Sequence, residues 1–385
     1  MRPVLASSTP WLPALPPFLL ASVVCMLGVP LSMRLARRIG RGAVDRPDET
    51  RRIHTQPTPR LGGLAMFAGF AVAVAVFGGA VATRWQIVAI TGAITVAMAV
   101  DDILGLNPRV KVALELGAGL IAYVAGASIT FVAFPGSANA TLLHLGVMAF
   151  PLTLVWFLGM QVSINLLDGV DGVAAGVVTI VAGVLLLAAI NRLGPSENAQ
   201  NDVIVLTGAL MGCCVGFLFF NFNPARTFMG DSGSHFLGVA LGMITILGVA
   251  KLAVALSLLV PLVALGLPIG DTAFAIIRRR RAGGPVTHAD TGHLHHRLLD
   301  MGFTPRETAL TFYLATAILG CIGLALFGHR RILLVAVALL AVALIGLIWR
   351  NMRREPAMDS EEAGYLQLPG RPATPTRIGH GGEVD

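Results

Sequence analysis

This chain is short of charge. Asp, Glu, Lys and Arg make up 13% of its 385 residues, about half the share usual in a soluble domain, which excludes an ordinary soluble enzyme. Lysine is nearly missing: only Lys111 and Lys251 accompany 26 Arg. Cysteine is scarce too, and Cys25, Cys213, Cys214 and Cys321 lie inside apolar runs with no CxxC spacing. Small buried hydrophobes are their expected role, so they do not report a redox compartment.

Apolar residues dominate instead, at 55% of the chain with a further 44 Gly. They fall in runs of membrane-spanning length rather than at amphipathic spacing. The runs lie near 11–33, 62–82, 85–100, 112–131, 147–167, 173–190, 203–222, 235–250, 252–277, 308–327 and 332–349. The third is short for ~30 Å of hydrocarbon, and the stretch 235–277 is split only by Lys251 yet needs two helices. The first run is too long for a signal-peptide core and is followed by no small-residue cleavage pattern, so it reads as an anchor. The expected fold is all-α: a polytopic membrane bundle of about eleven transmembrane helices over 1–349, then a disordered cytoplasmic tail over 350–385, rich in Pro, Gly and charge.

The net charge of +7 would suit nucleic acid in a soluble protein; in a membrane protein it speaks of topology, and no nucleic-acid partner is expected. The loops after odd-numbered spans hold 22 of the 28 basic residues. By the positive-inside rule those loops are cytoplasmic, the N-terminus is outside and the C-terminus is cytoplasmic.

Four polar motifs interrupt the apolar background: DDILGLNPRVK at 101–111, NLLDGVDG at 165–172, NFNPARTFMGDSGS at 221–234 and HADTGHLHHRL at 288–298. They follow spans 3, 5, 7 and 9, so all four share the cytoplasmic side. Singly, each has a bland explanation: an Asp pair beside a span caps a helix, and Asp-Gly steps make turns. Together they gather Asp101, Asp102, Asp168, Asp171 and Asp231 on one face, where carboxylates at membrane depth are costly and mark a site. Five neighbouring carboxylates call for a cation, and a hard oxygen-seeking ion such as Mg2+ suits them. His293, His295 and His296 have no Cys nearby, and phosphate or sugar contact suits them better than a transition metal. His288 reads as solvent-facing, and the run Arg278 to Arg281 serves as well for stop-transfer as for substrate binding.

The four motifs in this order resemble the polyprenyl-phosphate N-acetylhexosamine-1-phosphate transferase family, over roughly residues 20–345. VDRPDETRRIHTQPTPRLGG at 44–63 is similar to that family's first cytoplasmic loop. The resemblance implies a multi-pass protein of the bacterial plasma membrane with a cytoplasmic active site. It implies Mg2+ or Mn2+, and transfer of a sugar 1-phosphate from a UDP-sugar to a polyprenyl phosphate in the bilayer, with release of UMP. By motif, Asp101, Asp102, Asp168, Asp171 and Lys111 take the catalytic positions, and Asp231 with Asp102 the metal positions. Asn165, Asn221, Asp290, His293, His295, His296 and Arg297 take substrate contacts. The Leu between two His in HLHH resembles the N-acetylglucosamine branch; the translocase branch for phospho-MurNAc-pentapeptide, or another UDP-HexNAc donor, is the alternative. A polytopic lipid transporter would also be greasy, but it would not collect its acids on one face. A homodimer is an assembly compatible with such a bundle.

Overall fold

The structure is a computed structural model of the full chain, and it describes residues 11–40, 42–45, 57–81, 83–133, 142–190, 198–252, 298, 302–326 and 330–352. Ten helices are described: α1 (Leu15–Ile39), α2 (Gly62–Phe77), α3 (Arg84–Leu104), α4 (Pro108–Val124), α5 (Ala149–Leu167), α6 (Val173–Ile190), α7 (Asn198–Asn221), α8 (Gly230–Leu252), α9 (Pro305–Leu326) and α10 (Arg330–Met352). Each falls on one of the apolar runs, and the run 252–277 lies almost wholly outside the described residues. Among the described residues five helical stretches are long and apolar enough to cross a membrane, so the protein is a multi-pass helical membrane protein.

Helix ends differ from the apolar boundaries where capping, and not hydropathy, decides. The third run looked short because it was ended at the first charge, yet α3 continues through Asp101 and Asp102. It stops only at Gly105, whose φ of 66° is left-handed and whose N–H bonds Asp101 O, as a glycine C-cap should. Pro108 then opens α4, with the Asn107 side chain accepting from Arg109 N–H. Helix α1 likewise runs on past its apolar stretch through Arg34, Arg37 and Arg38, to Gly40. Two antiparallel hairpins depart from the all-α expectation: β1 (Val44–Asp45) with β2 (Thr58–Pro59), and β3 (Phe131–Ala133) with β4 (Leu142–His144).

The bundle is built around α8, which is buried on every face from Ser232 to Ile246, as an apolar helix at the centre of a bundle must be. It packs against α2, α3, α5 and α7. At the rim, α1 turns Leu19, Val23, Leu27, Leu31 and Leu35 outward at steps of four, a lipid-facing stripe. Its other face meets α7 across small residues. A Cβ on Gly208 would meet Ala14 O, one on Gly212 would meet Phe18 O, and one on Gly216 would lie 2.6 Å from Ser22 O. Between helices in lipid, where little hydrophobic force remains, this close approach supplies the association, and Ser22 Oγ adds a hydrogen bond to Gly212 O at 3.0 Å.

The substitution Gly212→Leu should therefore force α1 off α7 and cost about 1–3 kcal/mol, seen as a lower thermal midpoint in detergent. Gly183→Ala is the control, since its Cβ would meet only Met211 Cε, at 3.7 Å, and the midpoint should stay put.

Candidate active site

Six chain ends meet at one end of the bundle: the starts of α2, α4 and α8 and the ends of α3, α5 and α7. They carry three of the four polar motifs and the first-loop segment. The centre of the arrangement is the start of α8. Gly230 begins it with φ of 69°, and a Cβ there would lie 2.5 Å from Asp102 Oδ2, so only glycine fits. Immediately behind it, the Asp102 carboxylate accepts from Asp231 N–H at 2.8 Å and from Ser232 N–H at 3.0 Å. A carboxylate from α3 thus satisfies two of the orphan amides of α8 and sits at the positive end of its dipole.

Asp231, raised on that first turn, is the meeting point of the site. Its Oδ2 accepts from Lys111 Nζ on α4, and its Oδ1 from Asn165 Nδ2 on α5, at 2.7 Å. Lys111 also lies 3.8 Å from Asp101 Oδ2, while Asp101 Oδ1 accepts from Leu106 N–H at 2.7 Å. Asp101, Lys111, Asp231 and Asn165 therefore form one connected set drawn from four helices.

The NLLDGVDG motif serves two ends. Asp168 caps α5, and its carboxyl is pushed well above the usual carboxylate range, by burial first and by the nearby Asp231 charge next, with Arg60 pulling the other way. Asp171 turns to the NFNPAR loop, accepting from Asn223 Nδ2 at 2.9 Å and Ala225 N–H at 3.0 Å. Asn221 closes the same loop, accepting from Gly172 N–H at 3.0 Å and donating to Thr227 O at 2.9 Å. Asp171 and Asn221, expected as catalytic and substrate groups, are thus placed as braces between two loops. The first-loop segment joins from the other side, where Phe228 N–H donates to Pro59 O at 2.8 Å and Gly63 N–H to Met229 O at 2.9 Å.

Asp290, His293, His295, His296 and Arg297 lie outside the described residues. Sequence reasoning missed Arg60, Tyr313, which donates to Gly172 O at 2.6 Å, and a buried Glu115–His235 pair at 2.8 Å. A signal for the last was present: Glu115 follows Lys111 by four residues, and His235 follows Asp231 by four.

Among the described residues no group of three His, Cys, Asp or Glu is assembled to hold a metal ion alone. The donor set nevertheless fits Mg2+, which takes one or two carboxylates and leaves its other positions to water and phosphate oxygens. Asp101 and Asp231 both lie at Lys111, and Asp102 lies behind Asp231 at the start of α8, so three carboxylates share this corner with one ammonium. Each Asp102 oxygen retains a second lone pair.

The arrangement defines a membrane protein with an acidic, lysine-bearing centre at one end of its bundle. The glycosyl transferase family 4 model matches residues 84–249. The chain is 35% identical over 298 residues to a probable undecaprenyl-phosphate N-acetylglucosaminyl 1-phosphate transferase of Bacillus subtilis (strain 168), covering 77% of this chain and 80% of the relative. It is 33% identical over 342 residues to a decaprenyl-phosphate N-acetylglucosaminephosphotransferase of Mycolicibacterium smegmatis, covering 82% and 83%. It is 33% identical over 310 residues to a phospho-N-acetylmuramoyl-pentapeptide-transferase of Synechococcus sp. (strain JA-3-3Ab), covering 76% and 86%. The chain belongs to glycosyl transferase family 4, the polyprenyl-phosphate N-acetylhexosamine-1-phosphate transferases.

Substituting Asp102→Asn should turn an amide NH2 onto one of the two α8 amides and leave that amide unpaired, at a cost of about 1–3 kcal/mol. The thermal midpoint and the turnover should fall together; an unchanged midpoint would show that the α8 amides are satisfied some other way.

Proposed function

We propose that the protein transfers N-acetylglucosamine 1-phosphate from UDP-N-acetylglucosamine to undecaprenyl or decaprenyl phosphate, releasing UMP. This is the first membrane step in making a cell-wall or surface polysaccharide. The names of the relatives support the transferred group and the acceptor, and the set Asp101–Lys111–Asp231–Asn165 is the structural observation that carries the reading.

The chemistry explains why such a set is needed. An oxygen of the lipid phosphate attacks the phosphorus that bears the sugar, a new P–O bond forms, and the P–O bond to UMP breaks. Both substrates are anions near −2, so bringing them to ~5 Å costs on the order of 3 kcal/mol in water, and about four times that at an effective dielectric of ~20. Lys111 and Arg60 supply positive charge on the protein side. A bound Mg2+ would neutralise diphosphate charge and the departing UMP; Asp231 would hold it, with Asp102 in reach. The second pKa of a phosphate monoester is near 6, so the acceptor is mostly ionised at neutral pH. Asp101 then has little proton to remove and positions the acceptor instead. Asp168, kept in a protonated-favouring environment between Asp231 and Arg60, suits a hydrogen-bond contact to phosphate or sugar. Asn165 orients Asp231, and Asp290, His293, His295, His296 and Arg297 are assigned to the sugar phosphate.

The eleven-span count, the outside N-terminus, the cytoplasmic C-terminus and the cytoplasmic site belong to this same reading, supported by the distribution of Arg and Lys. The tail over 350–385 is read as carrying no catalytic group. No described surface argues for the homodimer.

The purified protein with undecaprenyl phosphate and UDP-N-acetylglucosamine should release UMP, and Asp231→Ala should abolish that release while the thermal midpoint is kept. Near-wild-type turnover with unchanged Mg2+ dependence would contradict the metal assignment. A donor panel that includes UDP-MurNAc-pentapeptide, read by lipid-product mass spectrometry, separates the branches. For topology, a cysteine at position 109 should label from the cytoplasmic side; labelling only from outside would reverse the orientation.

A further inference from the structure

The Lys111–Asp231 contact is one of two rungs between α4 and α8. Residues four apart share a helix face, and each helix contributes two such residues: Lys111 and Glu115 from α4, Asp231 and His235 from α8. Lys111 Nζ meets Asp231 Oδ2, and one turn deeper Glu115 Oε1 meets His235 Nε2 at 2.8 Å. The first rung is partly exposed; the second is sealed, with Glu115 4% and His235 0% exposed. A one-turn slide of α8 along α4 would break both rungs, so the buried pair fixes the register in which Lys111 faces Asp231.

The pair is also tied to the other partners of Asp231. His235 Nδ1 lies 2.8 Å from Asp231 O and 3.3 Å from Ser234 Oγ. Ser234 Oγ accepts from Asn165 Nδ2 at 3.0 Å, the same nitrogen that holds Asp231 Oδ1. Gln161 Nε2 donates to Glu115 O at 3.1 Å, which fastens α5 behind α4.

We propose that Glu115 and His235 are positioning residues that act through Asp231, holding its carboxylate beside Asn165 and within reach of Lys111. The proposal rests on the reading of Asp231 as the reaction centre. Hydrogen-bond accounting shows what the pair must do. Asp231 O can only accept, so Nδ1 carries a hydrogen; Nε2 then either donates to a carboxylate or accepts from a carboxyl group. Both arrangements have no net charge, which suits an apolar interior, whereas one partner without the other leaves a buried polar group unpaired. What matters for positioning is the pair of hydrogen bonds and their length, and not the charge.

Two substitutions separate those properties. Glu115→Gln removes the charge but keeps the geometry, since the amide donates to Nε2 while Nδ1–H still donates to Asp231 O. Glu115→Asp keeps the charge but withdraws the oxygen by one methylene. The purified full-length variants are compared by UMP release and, without substrates, by Mn2+ binding measured by electron paramagnetic resonance. Glu115→Gln should keep turnover and Mn2+ affinity within about threefold of wild type, while Glu115→Asp should lose about 10- to 100-fold in each, as for other supports behind a ligand carboxylate. The reverse order, or no effect from either change, would overturn the proposal. Asp231→Ala is run alongside: if it stays active, the reading of the centre has failed, whatever the order of the two Glu115 variants.

Discussion

The start of α8 is the constraint on which the site depends. A helix that begins packed against its neighbours has N–H groups with no preceding turn to bond. Here Asp102, from the last turn of α3, closes two of them, and Gly230 makes the room for it to do so. The carboxylate gains the favourable end of the helix dipole, and the helix gains a fixed origin. Everything else at the site is measured from that origin: Asp231 follows on the same turn, and Lys111, Asn165 and Asp101 are placed by what they bond to on it.

Packing carries this local arrangement to the rest of the bundle. Gly63 at the start of α2 lies against Gly233, where a Cβ would run into the backbone of Ser232 and Gly233, so α2 crosses α8 at the depth of the site. Hydrogen bonds from residues 62 and 63 to Phe228 O and Met229 O hold the first-loop segment beside it. Asp171, Asn221 and Asn223 brace the loops on the far side. The carboxylates that face the centre are thereby carried on helix ends, which are more rigid supports than free loops.

Much of this was legible in the residues. The apolar runs located the ten described helices, because each had to bury its surface or turn it to lipid, and the shared side of the polar motifs foretold that Asp101, Asp102, Asp168, Asp171 and Asp231 would gather, of which Asp171 is turned to the NFNPAR loop. Hydropathy could not find the helix ends: α3 runs through its own Asp pair until Gly105 stops it. Nor could a motif say which of its acids faces the centre. Asp102 and Asp171 look alike in sequence to Asp101 and Asp168, but Asp102 is turned to the first amides of α8 and Asp171 to the NFNPAR loop, a distinction made by partners distant in the chain. The Glu115–His235 pair escaped because each residue sits inside an apolar run, where a lone polar group reads as incidental until the matching four-residue spacing on a facing helix is seen.

On the proposed function Asp231 holds the cation, and Lys111, its partner in the free protein, passes to the substrate phosphates. A cryo-electron-microscopy structure with Mg2+ and UDP-N-acetylglucosamine tests this most directly. The expected result is an Asp231 oxygen at about 2.0–2.1 Å from the ion, the diphosphate on its far side, and the Lys111 ammonium moved from the carboxylate onto a phosphate oxygen. An ion bound away from Asp231, with the Lys111–Asp231 contact intact beside bound nucleotide, would contradict it.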